Sequence, residues 1–248
     1  TAVPGLAAKD IIDIQITVAD LADARIAAAL SGACYTARPD IGRDHRPPGA
    51  RLCLEQLRVI EIVPYRPEWA AEFAAIAADA RRALGPAALR IDHIGSTAVP
   101  DLAAKDIIDV QITVADLADG QIVAALSATG FTARPDIGRD HRPPGATGPD
   151  ADWIKRYFRE PPGRRPIHIH VRAAGRPNQR YPLLVRDYLR AHPAAAAAYA
   201  EGKRRLSEIV GGDSGLYADT KDPISDLIAL AAEAWAASAG WEPGPSDA

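Results

Sequence analysis

The chain has 248 residues, of which 48% are hydrophobic and 25% are charged, and its formal net charge is -3. Such a chain can bury a sizeable core, and its weak negative charge provides no global attraction to nucleic acid or to an acidic membrane. Cys34 and Cys53 form no metal or redox motif, the amino terminus lacks the charged and apolar regions of a signal peptide, and no apolar run is long enough for a membrane span. We therefore expect a cytoplasmic location, with no membrane or nucleic-acid partner.

An internal duplication divides the chain. Residues 1–50 align with residues 97–146 at an offset of 96 positions, and 41 of the 50 positions are identical. Two copies with unlike flanks do not make a repeat array, which needs at least about three stacked units. We predict a truncated, functionally inert duplicate over 1–57, a complete domain over 58–243 and a disordered tail over 244–248. The chain begins at Thr1, inside the duplicated motif, which suggests a fragment of a longer reading frame.

The first half of the complete domain alternates between strands and helices. Apolar residues at three-to-four spacing, from Trp69 and Phe73 to Ile76 and Ala80, stop before Gly85 and predict a helix over 67–84. Alternating or apolar runs predict the other elements. These are strands over 58–63, 88–94 and 106–114, a loop over 95–105 and a helix over 117–126.

The second half begins with a long loop and ends in helices. Residues 134–152 are rich in Pro, Gly, Asp and Arg, which predicts a long loop. Its charged part over 134–142 either closes over a substrate or stays solvated. Asp222 as cap, Pro223 as first residue and Gly240 as terminator predict the last helix. We also expect strands around Tyr157 and over 167–172, and helices over 183–190 and 194–209. The buried stripe of the last helix is predicted to be Ile224, Leu227, Ile228, Ala231 and Trp235.

This order of elements favours an α+β fold, close to α/β, with helices clustered in the carboxy-terminal part. A mixed β-sheet flanked by helices is the architecture that we expect.

The most informative motif lies in residues 93–111. It reads HIGSTAVP, then a loop, then KDIIDVQ. A Gly-Ser turn brings free backbone N–H groups close to a phosphate, and a strand about a dozen residues later can project carboxylates that hold Mg²⁺ or Mn²⁺. Ser96 and Asp109 fit this arrangement. Asp109 shares its strand face with Gln111, whereas Asp106 points to the other side.

These residues resemble the GrpB family, which is placed in the nucleotidyltransferase superfamily. The resemblance extends to 167–171, 177–179, 186–189 and 217–221, about three quarters of the chain. It implies a nucleotidyltransferase-type sheet and a nucleoside triphosphate or other phosphorylated molecule as ligand. It also raises the hypothesis that a nucleotidyl group is transferred to an acceptor that the sequence does not identify.

The metal-binding pattern of that superfamily is incomplete in this chain. Active members usually carry a second carboxylate where Gln111 stands, and the strand expected to carry the third presents His168 and His170 instead. With Asp109, the two histidines would form a two-histidine, one-carboxylate site that suits a transition metal better than Mg²⁺. The alternative is that both are ordinary sheet residues. Catalysis and metal binding are thus assigned, as an open hypothesis, to Asp109, His168 and His170.

Other residues are candidates for contact with a nucleotide. Lys105 is one of only five lysines and lies at the mouth of the Asp109 strand. Lys221, just before a predicted helix start, suggests an anion nearby. A Gly-Arg-Pro turn precedes a polar pair that either binds a base or ribose or caps the next helix. The full set of candidates is His93, Gly95, Ser96, Thr97, Lys105, Asn178, Gln179 and Lys221.

The resemblance also implies a non-catalytic alternative. A GrpB-like domain is fused to the carboxy-terminal side of dephospho-CoA kinase in some bacteria, and residues 168–179 and 241–243 look like that fused version. The chain contains no GxxxxGK[ST] phosphate loop, so it has no kinase site of its own. In this alternative the domain is a regulatory or chaperone-like module in coenzyme A biosynthesis, and a dephospho-CoA kinase domain is its partner.

Overall fold

The computed structural model describes residues 60–210 and 212–248, so the predicted duplicate over 1–57 lies outside the described residues. The described part of the chain forms a five-stranded sheet and five α-helices, and the expected α+β class is confirmed. The helices are α1 (Glu68–Leu84), α2 (Gly120–Ala128), α3 (Pro177–Ala191), α4 (Pro193–Val210) and α5 (Ser214–Ala239). The strands are β1 (Arg90–Ile94), β2 (Ile108–Val114), β3 (Thr132–Ala133), β4 (Arg156–Arg159) and β5 (Ile167–Ala173).

The sheet is mixed, with the strand order β1-β2-β5-β4-β3. Only one pair of neighbours, β2 and β5, is parallel; the others are antiparallel. The register sets Asp109 opposite His168 and Gln111 opposite His170. The strand with the two histidines is therefore the direct neighbour of the Asp109 strand.

The two faces of the sheet have different partners. Successive side chains of a strand point to opposite faces, so Ile108, Val110 and Ile112 face the core formed with α1 and α2. Asp109 and Gln111 lie on the other face, over which α3 packs. As predicted, Asp106 lies on the α1 side, where it accepts a hydrogen bond of 2.7 Å from the Trp69 indole.

Two expectations about the ends of the domain are wrong. Instead of a strand over 58–63, the described residues of this segment form one isolated bridge, between Val63 and Ala104. Residues 244–248 are not a disordered tail but lie alongside β1. There the Ser246 hydroxyl accepts a hydrogen bond of 2.9 Å from the Ile91 N–H, and the backbone N–H of Ala248 donates to the Ile91 carbonyl.

The last helix begins nine residues earlier than Pro223. Its cap is Asp213, whose carboxylate accepts hydrogen bonds of 3.0 and 2.9 Å from the N–H groups of Gly215 and Leu216. Pro223 and Lys221 are therefore inside α5. The predicted stripe is also displaced, because Leu227 is 69% exposed. The buried residues of α5 are Tyr217, Asp226, Ala229, Ala232 and Ala236.

No helix in the described ranges combines the length and the apolar character that a membrane crossing requires.

Candidate functional site

A cavity of about 250 Å³ lies on the sheet face that carries Asp109. Its walls come from the turn after β1, from β2 and β5, from the loop before β4, and from α3, α4 and α5. More than half of the predicted site residues line it: Gly95, Ser96, Asp109, His170, Asn178 and Lys221. The others do not: His93, Thr97, Lys105, His168 and Gln179.

The Gly-Ser turn needs glycine at its first position. Gly95 has φ 71° and ψ -168°, a conformation that is essentially restricted to glycine. A Cβ atom there would lie 2.6 Å from Oδ2 of Asp109. The absence of a side chain thus lets the turn approach Asp109 and sets Ser96 at the cavity wall.

Three lysines surround this turn; we call Lys105, Lys203 and Lys221 the lysine cluster. Lys203, which is 3% exposed, donates hydrogen bonds of 2.9 Å to the Ser96 hydroxyl and 2.5 Å to the Ala103 carbonyl. Burial, followed by the charge of Lys221, lowers the pKa of Lys203 to about 7. Burial also lowers the pKa of Lys105, whose ammonium group lies 4.8 Å from the centre of the Tyr217 ring. Within the described ranges none of the three forms a salt bridge.

Asp109 is paired with the two histidines of β5. Its Oδ1 lies 3.1 Å from Nδ1 of His168 and 3.6 Å from Nε2 of His170. Burial opposes ionisation of Asp109, but the hydrogen bonds from His168 and His170 outweigh it and hold the pKa of the carboxyl below its usual range. Asp109 is therefore a carboxylate at neutral pH.

The ring of His170 is oriented by cations. Its Nδ1 lies 3.2 Å from Nη2 of Arg172 and 3.4 Å from Nζ of Lys155. Burial first and Arg172 second lower the pKa of His170 to about 3, so the ring is neutral. Since Nδ1 accepts from these donors, the proton of the neutral ring is on Nε2, facing Asp109.

Gln111, which occupies the position of a second carboxylate, is fully buried, and both ends of its amide group form hydrogen bonds within the domain. Its amide nitrogen donates to the Gln179 carbonyl at 3.0 Å, and its amide oxygen accepts from Nη1 of Arg172 at 2.7 Å. It thereby links β2, β5 and α3.

These contacts test whether the site suits a metal ion. Asp109, His168 and His170 offer ligand atoms within 4.8 Å of one another. However, a histidine that binds a metal normally donates its second ring N–H to a carboxylate or carbonyl, whereas His170 turns that nitrogen to Arg172. Mg²⁺ would find one carboxylate beside buried cations. The residues present do not fit either kind of metal, and no chemical step is assigned to one.

The loop over 134–142 contributes a buried ion-pair network to the cavity wall. Asp140 accepts bonds of 2.8 and 2.7 Å from Arg172, one of 2.7 Å from Lys155, and one of 3.0 Å from Asn178. The next residue, His141, lies 3.0 Å from the carboxylate of Asp226 on α5. The two alternatives for this loop apply to different parts of it. Its end, with Asp140 and His141, lines the cavity, whereas Arg134 and Asp136 at its start form an exposed ion pair.

Two predicted site residues outside the cavity lining, His93 and Thr97, stabilise the Gly-Ser turn. His93 stacks on Phe73 at 4.7 Å and contacts the Thr97 hydroxyl at 3.1 Å. Burial lowers the pKa of His93 to about 4. Thr97 in turn donates to the Ile107 carbonyl at 3.1 Å. Both side chains fix the Gly-Ser turn.

Sequence reasoning missed Lys203, Arg172 and Asp140. A signal for Lys203 was present: Ala196, Ala200 and Lys203 recur at three-to-four spacing and share one helix face. A lysine on a face of small apolar residues indicates a buried cation. Arg172 and Asp140 gave no local signal, because they are 32 positions apart.

Comparisons with known proteins agree with this architecture. The profile of the family described as GrpB protein matches residues 1–54 and 59–229. The crystal structure of the conserved protein GrpB from Enterococcus faecalis has a TM-score of 0.57 and 28% sequence identity, and the match covers 71% of this chain and 99% of that one. A UPF0157 protein from Halalkalibacterium halodurans is 35% identical over 177 residues, which are 71% of this chain and 83% of that protein.

A longer relative is the dephospho-CoA kinase of Mycolicibacterium paratuberculosis, which is 39% identical over 197 residues, 74% of this chain and 48% of that protein. The chain thus spans about half the length of the kinase relatives that it matches. The family match covers most of the chain, and the chain belongs to the GrpB protein family.

Proposed function

We propose that the cavity binds a phosphorylated small molecule, with a nucleotide as the best-fitting class, and that its phosphates contact the Gly95-Ser96 turn and Lys221. The observation that carries this proposal is the lysine cluster, which lies near the turn and forms no salt bridge in the described part of the chain. A buried cation is costly unless an anion accompanies it. A bound phosphate group would supply that anion.

The other charges around the cavity support an anionic ligand. Asp140 is matched by both Arg172 and Lys155, so it leaves no net negative charge. Asp109 accepts one hydrogen bond from His168, which reduces its repulsion of an anion. The lysine cluster forms no salt bridge in the described ranges, and Lys203 donates directly to Ser96 of the turn, where a phosphate group can also accept hydrogen bonds.

The proposal is binding without nucleotidyl transfer. Transfer by the metal-assisted route depends on carboxylates that hold the cation between phosphate oxygens. Beside this cavity the buried Gln111 is fixed by two hydrogen bonds, and His170 faces cations. Phosphate binding therefore has support from the arrangement of the site, whereas the transfer step has none.

The substitution Lys221→Met tests the site directly, because Lys221 lines the cavity and is only half-buried. We expect the affinity for inorganic tripolyphosphate to fall at least about tenfold, the effect of losing one charge-assisted hydrogen bond. Isothermal titration calorimetry in EDTA measures this and excludes a metal requirement. In the control Arg204→Met, which removes an exposed cation paired with Glu201, the affinity should change less than about twofold.

The same titration has an expected pH dependence. Since the pKa of Lys203 is about 7 in the ligand-free protein, an anion that binds nearby must restore its proton at higher pH. Affinity should therefore fall as the pH rises from 7 to 9, and it should fall less in Lys203→Met. If the parent protein binds no tripolyphosphate at pH 7, or binds it only when a divalent cation is added, the proposal is wrong.

A second candidate function is favoured by the kinase relatives, in which the matched region is about half of a dephospho-CoA kinase. In this candidate the domain is a regulatory module that binds a kinase domain. A separately expressed kinase half of the Mycolicibacterium paratuberculosis relative should then co-elute with this chain in size-exclusion chromatography. Independent elution at micromolar concentrations of both would exclude a stable complex.

A further inference from the structure

Two residues that line the cavity each carry a buried polar atom without a hydrogen-bond partner in the described ranges. Trp153 and Asn178 both line the cavity, and they are 5% and 1% exposed. Neither Nε1 of Trp153 nor Oδ1 of Asn178 has a partner among the described residues. Buried polar groups in folded proteins are nearly always paired, so an unpaired group at a cavity suggests a ligand atom.

The orientation of the Asn178 amide is fixed by its neighbours. Its nitrogen donates at 3.0 Å to the Asp140 carboxylate and at 3.0 Å to the Ile154 carbonyl. Both partners are acceptors only, so the oxygen is the atom left without a partner. Because Ile154 directly follows Trp153, the same hydrogen bond holds Asn178 beside the tryptophan segment. An indole N–H donor and an amide acceptor, each on a residue that lines the cavity, are thus without partners among the described residues.

An aromatic ring accompanies this pair. Tyr181 lies three residues after Asn178 on α3, so both are on the same helix face, and it lines the cavity with its half-buried ring. Nucleobases stack on such rings and carry donors and acceptors side by side on their edges. A phosphate or polyphosphate offers neither a flat face nor a donor edge.

The distance along the sheet between the Gly-Ser turn and Asn178 also suits a nucleotide. Asn178 is bonded to Asp140, which pairs with Arg172, whereas the Gly-Ser turn lies beside Asp109, opposite His168. His168 and Arg172 are four residues apart on β5, which is roughly 13 Å at the rise of a strand. This separation suits a nucleotide with its phosphates at the turn and its base near Asn178.

We propose that Trp153, Asn178 and Tyr181 form a nucleobase subsite, which rests on the proposed phosphate site and extends it. The test is calorimetric titration of the full chain with ATP, GTP, CTP, UTP and tripolyphosphate. At least one nucleotide should bind about tenfold more tightly than tripolyphosphate. Trp153→Phe, which keeps the ring and removes the donor, should abolish this preference and leave the affinity for tripolyphosphate unchanged.

Two further variants complete the design. Tyr181→Leu should also abolish the preference for the nucleotide, and it provides an independent test if Trp153→Phe does not fold. Trp235→Phe, outside the cavity, should retain it. Equal binding of nucleotides and tripolyphosphate would overturn the base subsite and leave the phosphate site standing, whereas no binding of either would overturn both. A preference that survives in both Trp153→Phe and Tyr181→Leu would refute this assignment.

Discussion

Asp140→Ala is expected to lower the free energy of unfolding by about 3–5 kcal/mol, the cost of removing one partner from a buried ion pair. The side chains of Arg172 and Lys155 are 5% and 8% exposed, and Asp140 is the carboxylate that both contact. Without it, two buried cations face each other and the amide nitrogen of Asn178 loses an acceptor. Urea unfolding followed by circular dichroism measures the loss.

The matched control is Asp136→Ala, in the same loop. Asp136 pairs with Arg134 at 2.7 Å, but the two side chains are 57% and 44% exposed, and ion pairs in contact with solvent contribute little to stability. We therefore expect the unfolding curve of this variant to stay close to that of the parent. Similar losses in the two variants would mean that the loop as a whole, and not the buried network, stabilises the domain.

Gly95→Ala is expected to cost about 2–5 kcal/mol, from a backbone conformation that disfavours a side chain and from the contact of its Cβ with Asp109. Asp109 or the turn must move, so tripolyphosphate binding should be lost as well. Thermal unfolding and calorimetric titration of the same sample measure both effects.

Gly175→Ala separates backbone strain from steric contact. Gly175 has φ 74°, close to that of Gly95, but a Cβ atom at this position would have no other atom within 4 Å. We expect a cost of only about 1–2 kcal/mol and unchanged binding. If Gly95→Ala binds tripolyphosphate as the parent does, the close approach of the turn to Asp109 has no role in the site.

Elements with a strong local signal were predicted well. For α1, the spacing of Trp69 and Phe73 and the Gly-Pro pair after Leu84 gave both its buried face and its end. β2 was recognised from its run of Ile and Val, since both of its faces are covered. Its register against β5 confirmed that Asp109 and His168 are neighbours.

The last helix shows where local signals fail. Pro223 was interpreted as a first helical residue, but a proline in a helix interior is tolerated when tertiary contacts outweigh the lost hydrogen bond. Tyr217, which is 1% exposed, is buried in the part of the helix that precedes Pro223. The buried residues facing α3 are Ala232 and Ala236 against Leu184, with the half-buried Trp235 beside them, so only part of the predicted stripe lies on this face.

In the candidate site, the sequence predicted the residues that lie close together along the chain and missed their distant partners. Gly95, Ser96 and Asp109 belong to one motif of 15 residues, counted from 95 to 109. Lys203 is 107 positions from the Ser96 that it contacts. Such a pairing is a property of the packed helices, and no spacing along the chain encodes it.

The parallel pairing of β2 with β5 also has a kinetic consequence. Asp109 and His168 are neighbours in the sheet although 59 positions separate them. The chain loses conformational entropy when so long a segment closes, and it does so before the stabilising contacts form. Pairings of this kind therefore slow folding. We therefore expect the cavity to assemble late during refolding. During synthesis on the ribosome, a nascent chain that has not yet reached Ile167 has no cavity for a ligand to occupy.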